Sequence, residues 1–446
     1  MYTKTLIQNA NIVNEGIIYK GDLLVENGFI KKIAAKILAD KDTQIIDAAG
    51  QFLLPGIIDD QVHFREPGLT HKATIASEAK AAVAGGITSF IEMPNTNPPC
   101  ITQELLEDKF KIAANSSLAN YSFMMGGTNN NLDELLKTNP KTVAGIKLFL
   151  GSSTGNMLVD DETFLEKLFS STQLLISVHC EDETTIKNNL AVYQERFGDE
   201  IPIEFHPIIR SEEACYLSSS KAIALAKKTG ARLHVFHLST AKETDLFSNE
   251  IPLKDKKITA EVCIHHLWFD DRDYAQKGNF IKWNPAIKSE KDKNGLWNAL
   301  LDDRIDVIAS DHAPHTLAEK NQVYTKAPSG GPLVQHVLPA MLEMVHQQKI
   351  SIEKMVEKMC HNPAILFQID KRGFIKEGYF ADLVLVDLNN LWTVNKENIL
   401  YQCGWSPFEG TTFQSKITHT FVNGNLVYQN GNFTSNVKGK RLAFNR

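Results

Sequence analysis

The chain has 446 residues, of which 43% are hydrophobic and 22% are charged, as is ordinary for a globular protein. Its formal net charge of −6 includes no block of basic residues, so neither nucleic acid nor an anionic membrane surface is an expected partner. No run reaches the roughly 20 apolar residues of a membrane span, and the first residues show no signal-peptide pattern. The six cysteines form no CxxC pair, so we expect reduced thiols in a cytoplasmic protein.

The two ends of the chain differ in character from its middle. Residues 1–51 and 372–446 contain short strand-like runs separated by turns, including Asn-Gly pairs at 423–424 and 430–431. Neither end has enough apolar residues to form a core alone. We therefore expect a composite small β domain made of residues 1–51 and 372–446, beside a larger domain of residues 52–371.

The middle of the chain alternates short apolar runs with longer helical patterns. Near-continuous apolar runs between helices are typical of parallel strands that are covered on both faces. Eight such runs are present, at residues 52–59, 87–93, 121–127, 143–150, 173–180, 232–239, 257–267 and 306–312. The pattern predicts an α/β fold whose larger domain is a (β/α)8 barrel of the TIM type.

Polar residues cluster near the C-terminal ends of these runs, where barrel enzymes build their active sites. They are His63, Asn95, Lys147, His179, His237, His265, His266 and Asp311. One histidine in an apolar run is usually structural, but His63, His179 and His237 at equivalent strand ends favour a metal site. His234 lies two residues before His237, and we expect it in the core or behind the ligands.

Lys147 and Asp311 extend this metal hypothesis. A lysine inside AGIKLFL is a costly buried cation unless it is paired or modified, and carbamylation would turn it into an anionic ligand that bridges two metals. The alternative is a lysine that reaches solvent or a carboxylate. Asp311 opens the sequence DHAPH, where it can bind a metal and accept a proton from activated water. Its alternative role is to cap the following turn.

Seven motifs, spread along essentially the whole chain, resemble those of the dihydroorotases of the amidohydrolase superfamily. They are PGIIDDQVHFREPG at 55–68, EMPNT at 92–96, GIKLFLGSSTGNM at 145–157, VHCED at 178–182, HVFHLST at 234–240, KWNPAIK at 282–288 and ASDHAPH at 309–315. Their order is specific for the superfamily, and HFREPG together with EMPNT points to dihydroorotase within it.

The resemblance implies a zinc-dependent, reversible cyclisation of N-carbamoyl-L-aspartate to L-dihydroorotate in pyrimidine synthesis. It implies that His63 binds a first Zn²⁺, that His179 and His237 bind a second, and that carbamylated Lys147 bridges the two. Asp311 would be a ligand and the general acid/base, passing a proton from the activated water to the leaving ring nitrogen.

The implied substrate carries a carboxylate, and four residues are candidates for binding it: Arg65, Asn95, Asn284 and His315. Arg65 suits a bidentate pair with the carboxylate, with Asn95 and His315 completing the pocket. Asn284 resembles the family's contact to the pyrimidine ring. The alternative for Arg65 is a structural ion pair with Glu66 or Asp60. The polar loop 317–332 follows the last strand, so we expect a mobile lid there.

One position departs from the family's His-x-His motif, because Gln61 stands where its first histidine is expected. An amide oxygen is a poor zinc ligand beside imidazole. We therefore expect one or two Zn²⁺ per chain, with the first weakly held or absent and the second retained. Asp59 or Asp60 are candidates for a substitute carboxylate, Asp59 also for a supporting role.

Three other functions stay open at this point. A hydantoinase or allantoinase would share the metals but would not need Arg65 and Asn95. A non-catalytic, dihydroorotase-like partner of aspartate transcarbamoylase is favoured only by Gln61. A metal-binding barrel with another substrate is the remaining alternative. We also expect a homodimer and consider association with aspartate transcarbamoylase.

Overall fold

The computed structural model describes residues 4–151, 157–434 and 437–446, so part of the motif at 145–157 lies outside the described residues. The N-terminal part forms five strands: β1 (Lys4–Asn14), β2 (Ile17–Glu26), β3 (Phe29–Ala34), β4 (Thr43–Asp47) and β5 (Phe52–Pro55). Buried positions predominate in β1 and occupy the second half of β2, without a regular alternation of buried and exposed residues.

Eight parallel strands follow and form the predicted barrel. They are β6 (Ile57–Val62), β7 (Ile87–Glu92), β8 (Asn120–Gly126), β9 (Gly145–Phe149), β10 (Ile176–His179), β11 (Leu233–Val235), β12 (Ile258–Cys263) and β13 (Val307–Ala309). Neighbouring strands pair in chain order. The ring closes where the backbone N–H of His63 donates to the carbonyl of His312 at 2.7 Å.

The C-terminal part returns to the first sheet. Its strands are β14 (Leu383–Asp387), β15 (Trp392–Thr393), β16 (Thr412–Phe413), β17 (Lys416–Val422), β18 (Asn425–Gln429) and β19 (Asn432–Phe433). The sheet order is β19-β18-β17-β14-β5-β1-β2-β3, with β4 beside β1, while β15 and β16 pair separately. Both chain ends therefore build one sheet.

Helices cover the outside of the barrel. They are α1 (Ile75–Ala84), α2 (Gln103–Ser116), α3 (Leu132–Leu136), α4 (Glu162–Ser171), α5 (Glu183–Phe197), α6 (His206–Ile209), α7 (Glu212–Thr229), α8 (Ile264–Trp268), α9 (Tyr274–Lys277), α10 (Glu290–Leu301), α11 (Leu317–Lys320), α12 (Val337–His346), α13 (Ile352–Val356) and α14 (Asn362–Phe367). Side-chain caps such as Thr74 on α1 and Ser211 on α7 define several N-termini. No helix in the described part of the chain is long and apolar enough to cross a membrane.

Several predicted strands were too long, such as the run 232–239, of which β11 covers only Leu233–Val235, and two runs also change in kind. The run 52–59 divides at Gly56 into β5, which pairs with β1 and β14 of the first sheet, and β6, which pairs with β7 of the barrel. The chain passes so close to Thr88 at this point that a Cβ on Gly56 would lie 2.1 Å from its Oγ1. The run 257–267 ends at Cys263, and His265 and His266 lie in α8.

The chain ends are not confined to the first sheet. Val394, Phe408 and Phe413 share a hydrophobic core with the barrel. The C-terminal segment also lies along it, where Tyr121 N–H donates to the carbonyl of Lys440 at 3.1 Å. The domain boundaries at residues 51–52 and 371–372 therefore stay a prediction.

Candidate metal centre and substrate site

A cavity of about 140 Å³ lies at the C-terminal ends of the barrel strands. Eight of the nine predicted site residues line it: His63, Arg65, Asn95, Lys147, His179, His237, Asn284 and Asp311. The ninth, His315, lies behind the wall, where its Nε2 is 3.0 Å from Nη2 of Arg65. The strand ends thus bring the predicted residues together, while His315 contacts the arginine instead of the cavity.

Two pairs of predicted metal ligands face each other across short gaps. His179 Nδ1 lies 3.1 Å from His237 Nε2, and His63 Nε2 lies 3.2 Å from Asp311 Oδ1. Ligand atoms that share a tetrahedral zinc ion, each about 2.0–2.1 Å from it, are about 3.3 Å apart. Both pairs therefore fit the donor set of a transition metal.

The three histidines are in the protonation state that binds metals. Burial lowers the pKa of His63 and His179, and it lowers the pKa of His237 well below the usual value. Neutral imidazoles keep a lone pair for a metal ion. The ring of His63 is also oriented, because its Nδ1 lies 2.7 Å from Oδ1 of Asn95 and donates to it, leaving Nε2 as the acceptor.

Lys147 is buried, with 1% of the residue exposed. Its Nζ has no hydrogen-bond partner among the described residues and lies 4.2 Å from the ring centre of Phe236 and 4.9 Å from that of Phe149. Burial lowers the pKa of Lys147 to about 7. A large fraction of this amine is therefore neutral near pH 7, as the predicted carbamylation requires.

The backbone is strained at three residues of the cavity. Arg65, His237 and Asp311 adopt left-handed conformations with φ of 67°, 41° and 47°. Such conformations cost about 1–3 kcal/mol for residues with a side chain, and they concentrate at functional sites. The fold holds these side chains in position at a cost to its own stability.

Arg65 is a buried cation that lacks a carboxylate partner. It is 4% exposed, and its Nε donates to the carbonyl of Pro314 at 3.0 Å. No carboxylate in the described ranges forms an ion pair with it. Glu66 instead accepts from the N–H of Ile75 at 2.8 Å, and Asp60 faces His234. The alternative of a structural ion pair for Arg65 is therefore wrong.

Gln61 lines the cavity at the position of the missing histidine. Its Oε1 lies 3.6 Å from Sγ of Cys263, which fits a weak thiol hydrogen bond. Asp59 accepts from the backbone N–H groups of Gln61 at 3.3 Å and of Ser310 at 3.2 Å, so its carboxylate supports the two strands. Asp60 points to His234, away from the pair formed by His63 and Asp311.

The loop after β13 forms another part of the wall. Lys282 donates to the carbonyls of Tyr324 and Ala327 at 2.6 Å each, and Lys320 donates to that of Gly330 at 2.7 Å. Gly330 has φ of 117°, and a Cβ there would lie 2.6 Å from the carbonyl oxygen of Ala313. This anchoring favours a preformed loop over the predicted mobile lid.

Several wall residues were not predicted. Trp283 and Ser329 line the cavity, and Ser329 donates to Oδ1 of Asn284 at 2.9 Å. The sequence did carry a signal for both, because Trp283 lies within the motif KWNPAIK and Ser329 opens the Ser-Gly-Gly-Pro turn. Glu181 was also missed, although its Oε2 lies 3.1 Å from Nε2 of His179 and pairs with Arg210.

Comparison with known proteins agrees with this geometry. Residues 52–427 match the amidohydrolase family. The chain belongs to this family. An amidohydrolase named dihydroorotase from Methanosarcina acetivorans is 34% identical over 91% of this chain and 88% of its own length. A dihydroorotase from Carboxydothermus hydrogenoformans is 35% identical over 95% of this chain and 98% of its own length.

Other amidohydrolases with different names are also similar. An allantoinase from Desulfitobacterium hafniense is 31% identical over 98% of both chains. The solved structure of L-hydantoinase (dihydropyrimidinase) from Arthrobacter aurescens has a TM-score of 0.93 and 26% identity, covering 99% of this chain and 100% of that one. The predicted barrel and the predicted resemblance to this superfamily are confirmed.

Proposed function

We propose that the protein is a dihydroorotase that interconverts L-dihydroorotate and N-carbamoyl-L-aspartate in pyrimidine synthesis. The observation that carries the proposal is the buried guanidinium of Arg65 on the cavity wall. A buried cation without an anion is unfavourable, so the site is suited to a ligand that brings one. The ring of dihydroorotate bears a carboxylate, whereas those of hydantoin and allantoin do not. The curated relatives named dihydroorotase support the same choice.

The metal assignment follows from the donor pairs. We assign His63 and Asp311 to one Zn²⁺, and His179 and His237 to a second, with carbamylated Lys147 between them. Zinc bound there would lower the pKa of a water molecule and polarise the ring carbonyl. Because Gln61 replaces a histidine, the site at His63 and Asp311 is the weaker one.

The other steps of the proposed reaction fall to residues of the chain itself. Asp311 takes the proton of the attacking water and gives it to the ring nitrogen as the amide bond breaks. Arg65 binds the carboxylate and so fixes the ring in the cavity, while Asn284 and Asn95 are the proposed polar contacts of the ring. His315 keeps Arg65 in place from behind, which modifies its predicted role as a direct contact.

Turnover of a substrate panel tests the proposal. The zinc-supplemented protein is given dihydroorotate, allantoin, hydantoin and dihydrouracil, and ring opening is followed for each. We expect the highest kcat/KM for dihydroorotate, with the Asp311→Asn variant as the inactive control. A higher kcat/KM for one of the other rings would assign the protein to that activity. No activity on any ring, with co-purification of aspartate transcarbamoylase, would favour the non-catalytic partner. Homodimer formation, this association and a cytoplasmic location stay predictions.

A further inference from the structure

A second group of metal-binding side chains lies next to the cavity. Asp60, His234 and Glu261 come from β6, β11 and β12, and their potential ligand atoms all lie within 4.8 Å of one another. All three residues are 0% exposed. Glu261 also connects them to the cavity, because its Oε1 accepts from the backbone N–H of His237 at 3.1 Å. None of the three is among the zinc ligands assigned above.

The spacing within this group is that of metal ligands. His234 Nε2 lies 3.5 Å from Asp60 Oδ2 and 3.7 Å from Glu261 Oε2, which is too long for good hydrogen bonds. Both distances are close to the separation of about 3.3 Å between two ligand atoms on a tetrahedral zinc ion. A buried histidine–carboxylate pair elsewhere in the barrel, His312 Nε2 and Glu78 Oε2, is 2.9 Å apart. The distances within the group of Asp60, His234 and Glu261 are thus longer than the distance in this pair.

The same atoms lack other partners. Both oxygens of Asp60, Oε2 of Glu261 and Nε2 of His234 make no hydrogen bond to any residue that the structure describes. The other ring nitrogen of His234 lies 2.9 Å from Oγ1 of Thr259, so Nε2 is the atom turned to the two carboxylates. Buried polar atoms without partners cost about 1–3 kcal/mol each, and native proteins satisfy nearly all of them. A single cation would satisfy this whole set.

We propose that Asp60, His234 and Glu261 bind a divalent transition-metal ion, such as Zn²⁺, separate from the two ions assigned to the cavity. Two carboxylates balance the charge of such an ion, and His234 completes a set of three ligands. Burial lowers the pKa of His234, but the two carboxylates outweigh it and raise this pKa to about 9, so the ion would have to displace the second proton of the ring. The ion would fix Glu261, whose carboxylate holds the backbone of His237 in its left-handed conformation. Its role is therefore to position His237, and the proposal does not depend on the substrate.

Anomalous X-ray scattering tests the site directly. Crystals of the full-length protein grown with Zn²⁺ are measured above and below the zinc absorption edge. We expect an anomalous peak between Asp60 and His234, separate from any peak at His179 and His237. A zinc-loaded crystal that shows a peak at His179 and His237 but none at Asp60 would overturn the proposal.

Matched variants give an independent test in solution. Asp60→Asn weakens the proposed site, whereas Glu78→Gln alters the buried pair with His312 and serves as the control. Elemental analysis should find about one zinc fewer per chain in Asp60→Asn and an unchanged content in Glu78→Gln. Equal zinc in Asp60→Asn and wild type contradicts the proposal. If Asp60→Asn does not fold, ¹⁵N NMR of the zinc-saturated wild type tests the proposal instead. A His234 ring protonated on both nitrogens would exclude a bound ion and contradict the proposal, whereas a ring without a proton on Nε2 would support it.

Discussion

Replacing Arg65 by glutamine separates recognition of the substrate carboxylate from the rest of catalysis. Truncating one partner of a buried charge pair costs about 2–5 kcal/mol. Because Arg65 is 4% exposed, water cannot take over its role, and we expect the upper part of this range. At 1.4 kcal/mol per factor of ten, a loss of about 3–5 kcal/mol lowers kcat/KM for dihydroorotate roughly 100- to 4000-fold.

The assay compares dihydroorotate with dihydrouracil, which has the same ring without the carboxylate. For dihydrouracil we expect a change within about threefold, because the interaction that is removed does not exist there. Where turnover of dihydrouracil is too slow, inhibition constants of the two rings give the same comparison. Zinc content and Tm serve as controls: zinc content should stay near wild type, and Tm should not fall, because the arginine has no ion pair to lose and its burial is itself unfavourable. Equal losses of kcat/KM for dihydroorotate and dihydrouracil would show that Arg65 supports the cavity wall and does not bind the carboxylate.

Four further predictions concern single positions. Asp311→Asn should lower kcat by about 10²–10⁴-fold with the fold intact, as expected for loss of a general acid/base, and near-normal turnover would contradict that role. Burial lowers the pKa of Lys147 to about 7, so the fraction of its amine that is neutral and reactive falls about tenfold per pH unit below 7. The ¹³C NMR signal of a carbamate formed from ¹³CO₂ should therefore weaken from pH 7 to pH 6, and a constant signal would refute this. Gln61→His should raise the zinc content by up to one ion per chain, because imidazole is a better zinc ligand than an amide. If the wild type already binds two zinc ions tightly in the assigned sites, Gln61 disables neither site. Lys320→Met removes the donors to Pro328 and Gly330 and should speed hydrogen exchange in the loop 317–332, whereas unchanged exchange means that other contacts hold the loop.

The fold was largely predictable because its signal is local. Continuous apolar runs separated by helices identify parallel strands, and the C-terminal strand ends then place His63, His179 and Asp311 together. The division of the run 52–59 was not predictable, since it depends on pairing with other parts of the chain: β5 pairs with β14, whereas β6 pairs with β7.

The finer roles in the site depend on contacts between distant strands. Asn95 was predicted as a substrate contact, but its orientation of His63 follows from the arrangement of β6 and β7. His234 and Glu261 come from the consecutive strands β11 and β12, whereas Asp60 comes from the distant β6, and sequence spacing carries no sign that the three side chains meet. Sequence therefore predicts which residues reach the site better than it predicts what each one contacts.

The distribution of paired and unpaired charges distinguishes structure from function in this barrel. Several buried charges that serve the fold pair with carboxylates: Lys256 lies 2.7 Å from Asp306, and Arg372 pairs with Asp382. The loop anchors Lys282 and Lys320 instead donate to backbone carbonyls. Around the cavity the pattern reverses, because Arg65 lacks a carboxylate and Lys147 lacks a hydrogen bond within the described residues. Burying an ionisable group without a partner is unfavourable, whether it stays charged as in Arg65 or loses its proton as in Lys147, so stability alone does not explain two such groups at one place. A carboxylate on the substrate would supply the anion that Arg65 lacks, and carbamylation would turn Lys147 into an anionic metal ligand.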